Sequence, residues 1–153
     1  MGTRLAKISA TPGKTRMVNV YAVPQALYFL DLPGYGYARV AKGQREEFRR
    51  LVYHVLARPR LTGAIWLLDI RHEPSTDDRM MQELLIERGT HVLAALTKGD
   101  KLPRTQRAAR EQSLRATLNL PDDQIVVTSA KTGDGIVDLR AAIAGLVQDG
   151  MTS

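Results

Sequence analysis

The sequence predicts an α/β fold: a mostly parallel sheet covered by helices on both faces. Three observations predict it. Short apolar runs at 63–69, 91–97 and 124–128 read as strands buried within a sheet. Segments with a helical apolar period alternate with them. The resulting order, β-β-α-β-α-β-α-β-α, requires crossover connections, and these lay helices on either side of parallel strands. With 153 residues the chain suits one domain, expected over 1–150 with a short tail at 151–153.

Each element has its own signal. Met17 to Val23 alternates and is rich in β-branched residues, so it reads as a strand. Pro24-Gln25 is a short connection, and Ala26 to Leu32 is a second strand, completing a hairpin. Gly34, Gly36 and Gly43 mark a flexible loop. Gln44 to Ala57 is helical: Phe48, Leu51, Val52, Val55 and Leu56 share one face, and Pro59 ends it. Gly63 to Asp69 is a strand. Ser75, Thr76, Asp77 and Asp78 offer N-cap oxygens for a helix that reaches Arg88, with Gly89 as its C-cap. His91 to Thr97 is a strand, Pro103 to about Leu118 a helix, and Gln124 to Thr128 a strand. Gly135 to Val147 is a last helix, with Ile136, Leu139, Ile143 and Leu146 or Val147 on one face.

Composition removes several classes. Hydrophobic residues at 44% and charged residues at 25% exclude a mostly disordered chain. No apolar run approaches the roughly 18 residues of a membrane span, and no membrane partner is expected. The chain has no cysteine, hence no disulfide framework or thiolate metal site, which fits a reducing compartment. Met1 to Ala6 has no apolar core of a signal peptide. The net charge of +6 draws a domain toward polyanions such as RNA, although excess arginine also serves solubility.

In parallel sheets ligands bind beyond the carboxyl ends of the strands. Four such ends carry chemistry. Asp31-Leu32-Pro33-Gly34 forms a D-x-x-G: the carboxylate suits a Mg²⁺-bound water and the glycine N–H a terminal phosphate. Thr97-Lys98-Gly99-Asp100 forms a T-K-x-D. Its carboxylate matches the guanine N1–H and exocyclic amine, and the lysine stem can cover the base plane. Thr128-Ser129-Ala130-Lys131 offers a backbone N–H to guanine O6. The fourth end is Asp69-Ile70-Arg71-His72-Glu73. Singly, each motif is no more than a polar turn. In this order, each at a strand end, they form the pattern of a GTP-binding G domain, a three-layer fold of the P-loop-NTPase type.

The surrounding text is more specific. Thr11 to Thr15 (T-P-G-K-T), Asp31 to Ala38 (D-L-P-G-Y-G-Y-A), Leu68 to Pro74 (L-D-I-R-H-E-P), Thr97 to Leu102 and Ser129 to Gly133 resemble the EngB (YihA/YsxC) family of ribosome-biogenesis GTPases across essentially the whole chain. The resemblance implies GTP or GDP as ligand, Mg²⁺ as cofactor, and the large ribosomal subunit or its rRNA as partner. It also implies a cytoplasmic, monomeric protein with a role in cell division and septation. By resemblance Gly13, Lys14 and Thr15 belong to switch I and, with Leu32 and Pro33, bind GTP; Thr15 joins Asp31 at the metal, the family spacing favouring it over Thr11, the other candidate. Gly34 faces the γ phosphate, and Thr97, Lys98, Gly99, Asp100, Thr128, Ser129 and Ala130 face guanine.

A G domain also needs a strand, a G-x-x-x-x-G-K-[ST] loop and a helix. Gly13-Lys14-Thr15 imitates the end of that loop, but Ile8 stands where its first glycine belongs, no strand is expected before it, and a strand rather than a helix follows. The first strand, the P-loop and most of the first helix are therefore expected to be missing, as in an N-terminally truncated gene model. The missing strand would lie between those ending in Asp31 and Asp69, leaving these two to close up or stay open.

Other residues have two readings each. Tyr35 stands where Ras-like proteins hold a water-orienting Gln, so hydrolysis is expected to be slow; alternatively Tyr35 only packs or stacks on RNA. His72 reads as structural or ribosome-facing rather than catalytic. Arg39, Lys42, Arg45, Arg49 and Arg50, and a second row of Arg104, Arg107, Arg110 and Arg115, suit rRNA phosphates or a solvated helix face. The rival to a GTP-dependent switch is a non-enzymatic, basic RNA-binding module that keeps the G-domain shape and binds nucleotide poorly.

Overall fold

A computed structural model describes residues 6–9, 18–35 and 42–152. They fall into two compact units, one up to Val52 and one from Tyr53 onward.

The first unit holds an antiparallel sheet in the order β1-β2-β3, with β1 at Ala6–Ser9, β2 at Asn19–Val23 and β3 at Leu27–Asp31. The expected hairpin is β2-β3: Asn19 pairs with Asp31, Val23 pairs with Leu27, and the Ala26 N–H closes the turn on the Val23 carbonyl at 3.1 Å. β1 is an addition to the expected order, pairing antiparallel to β2 with Ile8 opposite Val20. A strand thus does include position 8. It still does not make a P-loop context, because β2 and not a helix is the next described element. Helix α1, Lys42–Leu56, begins in this unit, and its Phe48 and Val52 are buried.

The second unit holds a parallel sheet in the order β4-β5-β6, with β4 at Ala64–Asp69, β5 at Val92–Thr97 and β6 at Ile125–Val127. Helices α2 (Thr76–Glu87), α3 (Arg104–Leu118) and α4 (Ile136–Thr152) complete the alternation. β5 is central, and its Leu93, Ala94, Ala95 and Leu96 are all buried, as a strand covered on both faces requires. Trp66, Leu68, Ile70, Met81, Leu84, Leu85, Leu114 and Leu118 extend this core. Ser75 caps α2 through a full capping box with Asp78, each side chain taking the other's backbone N–H. Asn119 ends α3 in the left-handed region at φ 51°, which Asn tolerates better than most residues.

Two further elements, β4 and α4, differ from the sequence reading. β4 was expected to be covered on both faces, yet Trp66 and Leu68 are buried while Leu67 is 63% exposed. Among the described residues this strand therefore has one covered face, that of Trp66 and Leu68. α4 runs past Val147 to Thr152. Among the described residues β3 and β4 belong to separate sheets.

Candidate functional site

The parallel register of the second unit sets three chain segments side by side. Asp69 pairs with Thr97 across β4 and β5, and Leu96 pairs with Val127 across β5 and β6. The segments that follow these strands therefore emerge at one end of one sheet. Backbone bonds stitch them: the Ile70 N–H to the Thr97 carbonyl at 3.1 Å, the Thr128 N–H to the Leu96 carbonyl at 2.8 Å, and the Gly99 N–H to the Thr128 carbonyl at 2.9 Å. The Thr97 hydroxyl donates to the Leu68 carbonyl at 3.1 Å.

The last two loops are joined by one side-chain bridge. The Ser129 hydroxyl, fully buried, donates to Asp100 Oδ1 at 2.7 Å, and the same oxygen accepts from the Thr132 N–H at 3.2 Å. The Ser129 hydroxyl holds the Asp100 carboxyl below the ordinary carboxylate value, against partial desolvation. Asp100 lies in a short 3₁₀ turn, Gly99–Lys101. A Cβ at Gly99 would come within 3.0 Å of Val127 Cγ1 and 3.2 Å of the Thr128 carbonyl, so glycine lets the two loops touch. Downstream, Gly135 has φ 72°, and a Cβ there would collide with the Val127 carbonyl. Its predecessor Asp134 anchors the loop: its carbonyl accepts from the Ser129 N–H at 2.9 Å, and its carboxylate pairs with Arg107 at 3.2 Å. Thr97, Lys98, Gly99, Asp100, Thr128, Ser129 and Ala130 are thus brought together, with Ala130 exposed at the rim.

Lys98 takes the left-handed conformation, φ 61° and ψ 34°, and its ammonium reaches Asp69 Oδ2 at 2.9 Å. Asp69 also accepts from Arg71, through the backbone N–H at 3.0 Å, Nε at 2.9 Å and a terminal nitrogen at 2.7 Å. The Arg71 guanidinium, followed by Lys98, holds the Asp69 carboxyl well below the usual carboxylate range although partial burial opposes this. His72 stands 3.9 Å from the same carboxylate and is exposed. Sequence reasoning named Asp69 as a strand end without seeing this role. The signal was a carboxylate terminating an apolar strand, with a cation two residues on.

The first unit holds the remaining motif. Asp31 ends β3 and is exposed, followed by Leu32, Pro33 and Gly34. Gly13, Lys14 and Thr15 lie outside the described residues. Tyr35 packs its ring on Phe48, with centroids 5.8 Å apart, which favours the packing reading for this tyrosine. Among the described residues no three His, Cys, Asp or Glu side chains converge as a metal cage.

The α3 arginines are largely committed within the chain. Arg107 donates to the Leu102 carbonyl and Asp134, Arg110 to the Ile70 carbonyl and Glu73, and Arg115 pairs with Glu111 and Asp122. They knit α3 to the strand-end loops, a third role beside the two read from sequence. On α1, Lys42, Arg49 and Arg50 are exposed, with Arg50 3.8 Å from Glu46.

The fold and these strand-end loops define the class: an α/β protein of the GTPase type. The family described as 50S ribosome-binding GTPase matches residues 1–98. The chain belongs to the EngB family of GTP-binding proteins. It is 44% identical over 144 residues to a probable GTP-binding protein EngB of Syntrophomonas wolfei, covering 94% of this chain and 74% of the relative. The corresponding protein of Gemmatimonas aurantiaca is 42% identical over 143 residues, 93% of this chain and 70% of the relative. That of Bacillus subtilis is 36% identical over 145 residues, 94% and 74%. A crystal structure of a probable GTP-binding protein engB superposes with a TM-score of 0.68 over 80% of this chain and 77% of the other, at 20% identity, a likeness of fold.

Proposed function

We propose that the chain binds guanine nucleotides through its second unit and acts as an EngB-type GTP-dependent switch. The observation that carries this is the Ser129–Asp100 bridge, which fixes a carboxylate where the loops after β5 and β6 meet at one sheet end. Such a carboxylate accepts the paired donors of guanine and repels the adenine ring nitrogen that replaces one of them. Gly99 and the 128–130 backbone complete the base site, and the Lys98 stem covers it. Asp31 and Thr15 would hold Mg²⁺, and Gly34 would face the terminal phosphate. Mg²⁺ would neutralise phosphate charge there. Gly13 and Lys14 belong to the neighbouring switch segment. The family description and the exposed cations of α1 support the large ribosomal subunit as partner; the proposed role in ribosome assembly and septation, in the cytoplasm and as a monomer, rests on the family resemblance alone. Among the described residues no helix is long and apolar enough to cross a membrane. The test is displacement of a fluorescent GDP analogue. GDP and GTP should displace it, and ADP and ATP should not; equal displacement by ATP would remove the guanine assignment. Co-sedimentation with large subunits, with and without GTP, tests the partner.

A further inference from the structure

We infer that Asp69 is a positioning residue for the base site: it holds the Lys98 ammonium and so fixes the Lys98 side chain as one wall of that site. This rests on the guanine reading above. Lys98 is otherwise a long, exposed side chain with four rotatable bonds, and such chains lose much freedom on ordering. Two features order it here. Its backbone is in the left-handed region, a conformation uncommon for a residue with a Cβ, directly after β5. Its ammonium then ends on Asp69 of the adjacent strand at 2.9 Å.

The Asp69 carboxylate is itself fixed. Arg71 grips both oxygens, Oδ1 through Nε and Oδ2 through a terminal nitrogen, at 2.9 and 2.7 Å. This fork sets the plane of the carboxylate, so the position offered to Lys98 is set before any ligand arrives. Asp69 lies beside Thr97 in the strand ladder, one residue from Lys98, so the brace is built into the register. Pre-ordering a contact side chain removes a cost from binding. Asp69 touches no base in this account and acts through Lys98 alone.

A double-mutant cycle tests this, using the full chain, Asp69→Asn, Lys98→Met and the double variant, titrated with GDP and with guanosine. Asp69→Asn should weaken both ligands alike, by roughly three- to tenfold. In the Lys98→Met background it should add nothing. Unchanged binding by Asp69→Asn, or an equal loss with and without Lys98, would overturn the inference. A tighter GDP complex would also overturn it, since a freed ammonium would then serve the phosphates. The second arm needs no ligand and no variant fold: NMR of the lysine ammonium groups in the parent chain. Lys98 should give a slowly exchanging resonance distinct from the exposed lysines; its absence would overturn the inference. If the parent bound neither GDP nor guanosine, the guanine reading and the role of Asp69 within it would fall, while the ammonium resonance would still report whether Asp69 holds Lys98.

Discussion

The two units treat their strand ends differently. In the second, the loops after β4, β5 and β6 are tied to one another by the Asp69–Lys98 and Ser129–Asp100 contacts and by the Gly99–Thr128 backbone bond. In the first, Asp31 ends β3 in an exposed position, and among the described residues no hydrogen bond or ion pair fixes its carboxylate. On the proposed reading the base-reading surface lies within one sheet, and its internal contacts form without ligand. A metal and phosphate surface needs further groups: the phosphates themselves, switch residues, and a loop of backbone N–H donors. On that reading the difference makes base selectivity and nucleotide affinity separable in this chain.

The largest effect should come from supplying the phosphate contacts. The 153 residues contain no G-x-x-x-x-G-K-[ST]. Adding an upstream strand, P-loop and helix should tighten GDP binding by on the order of a thousandfold or more, since each charge-assisted bond to phosphate contributes roughly 1.5–3 kcal/mol. Calorimetry on the two proteins with Mg²⁺ measures it. Low-micromolar binding by the 153 residues alone would break the comparison, because another element would then hold the phosphates.

Glycine substitutions sharpen it from the side of stability. Gly135→Ala puts a Cβ into the Val127 carbonyl at φ 72° and should cost about 2–4 kcal/mol, loosening the loop that carries Ser129. Gly43→Ala, in α1 with nothing within 4 Å of its Cβ, should stabilise by about 0.5 kcal/mol. Chemical denaturation of both variants distinguishes them.

How much of this was legible beforehand follows from what kind of information each feature needs. The strands ending in Asp31, Asp69 and Thr97 were legible because apolar runs stop at polar residues of definite chemistry. β1 was not, because Ala6 to Ser9 alternates over only four residues with a single β-branched side chain, and its pairing is settled by β2. The Asp69–Lys98 contact depends on which strands are neighbours and in what register, and neither residue's local sequence contains that. The arginines of α3 show the same limit. Their spacing marks one face of a helix, but only the loops packed against it show that Arg107 and Arg110 are bound to the chain itself.

A smaller effect concerns base choice. Asp100→Asn replaces a carboxylate that accepts two donors by an amide that both donates and accepts. Guanine affinity should fall roughly ten- to a hundredfold, and xanthine nucleotides should gain. Displacement assays with XDP and GDP measure it; an unchanged guanine preference would count against Asp100.

The smallest effect is on acid stability. Asp69, Asp100 and Asp134 all have carboxyl groups held below their ordinary values by hydrogen-bonding partners. A depressed folded-state pKa contributes stability that is fully present above the unfolded value, about 4, and is lost as pH falls through the folded one. Melting temperature should therefore decline from pH 5 toward pH 2. Asp69→Asn should flatten that decline by about 3 °C. Thermal melts across this range check it, and a decline identical in the variant would show that Asp69 is not coupled to folding.

The most direct test of a base site built within one unit is amide chemical-shift mapping of the chain with GDP and with ADP. The account predicts that GDP shifts the amides of 97–100 and 128–131 in a saturable way, while ADP leaves them in place. Equal shifts with ADP, or GDP shifts at 31–34 with 97–100 and 128–131 silent, would contradict it.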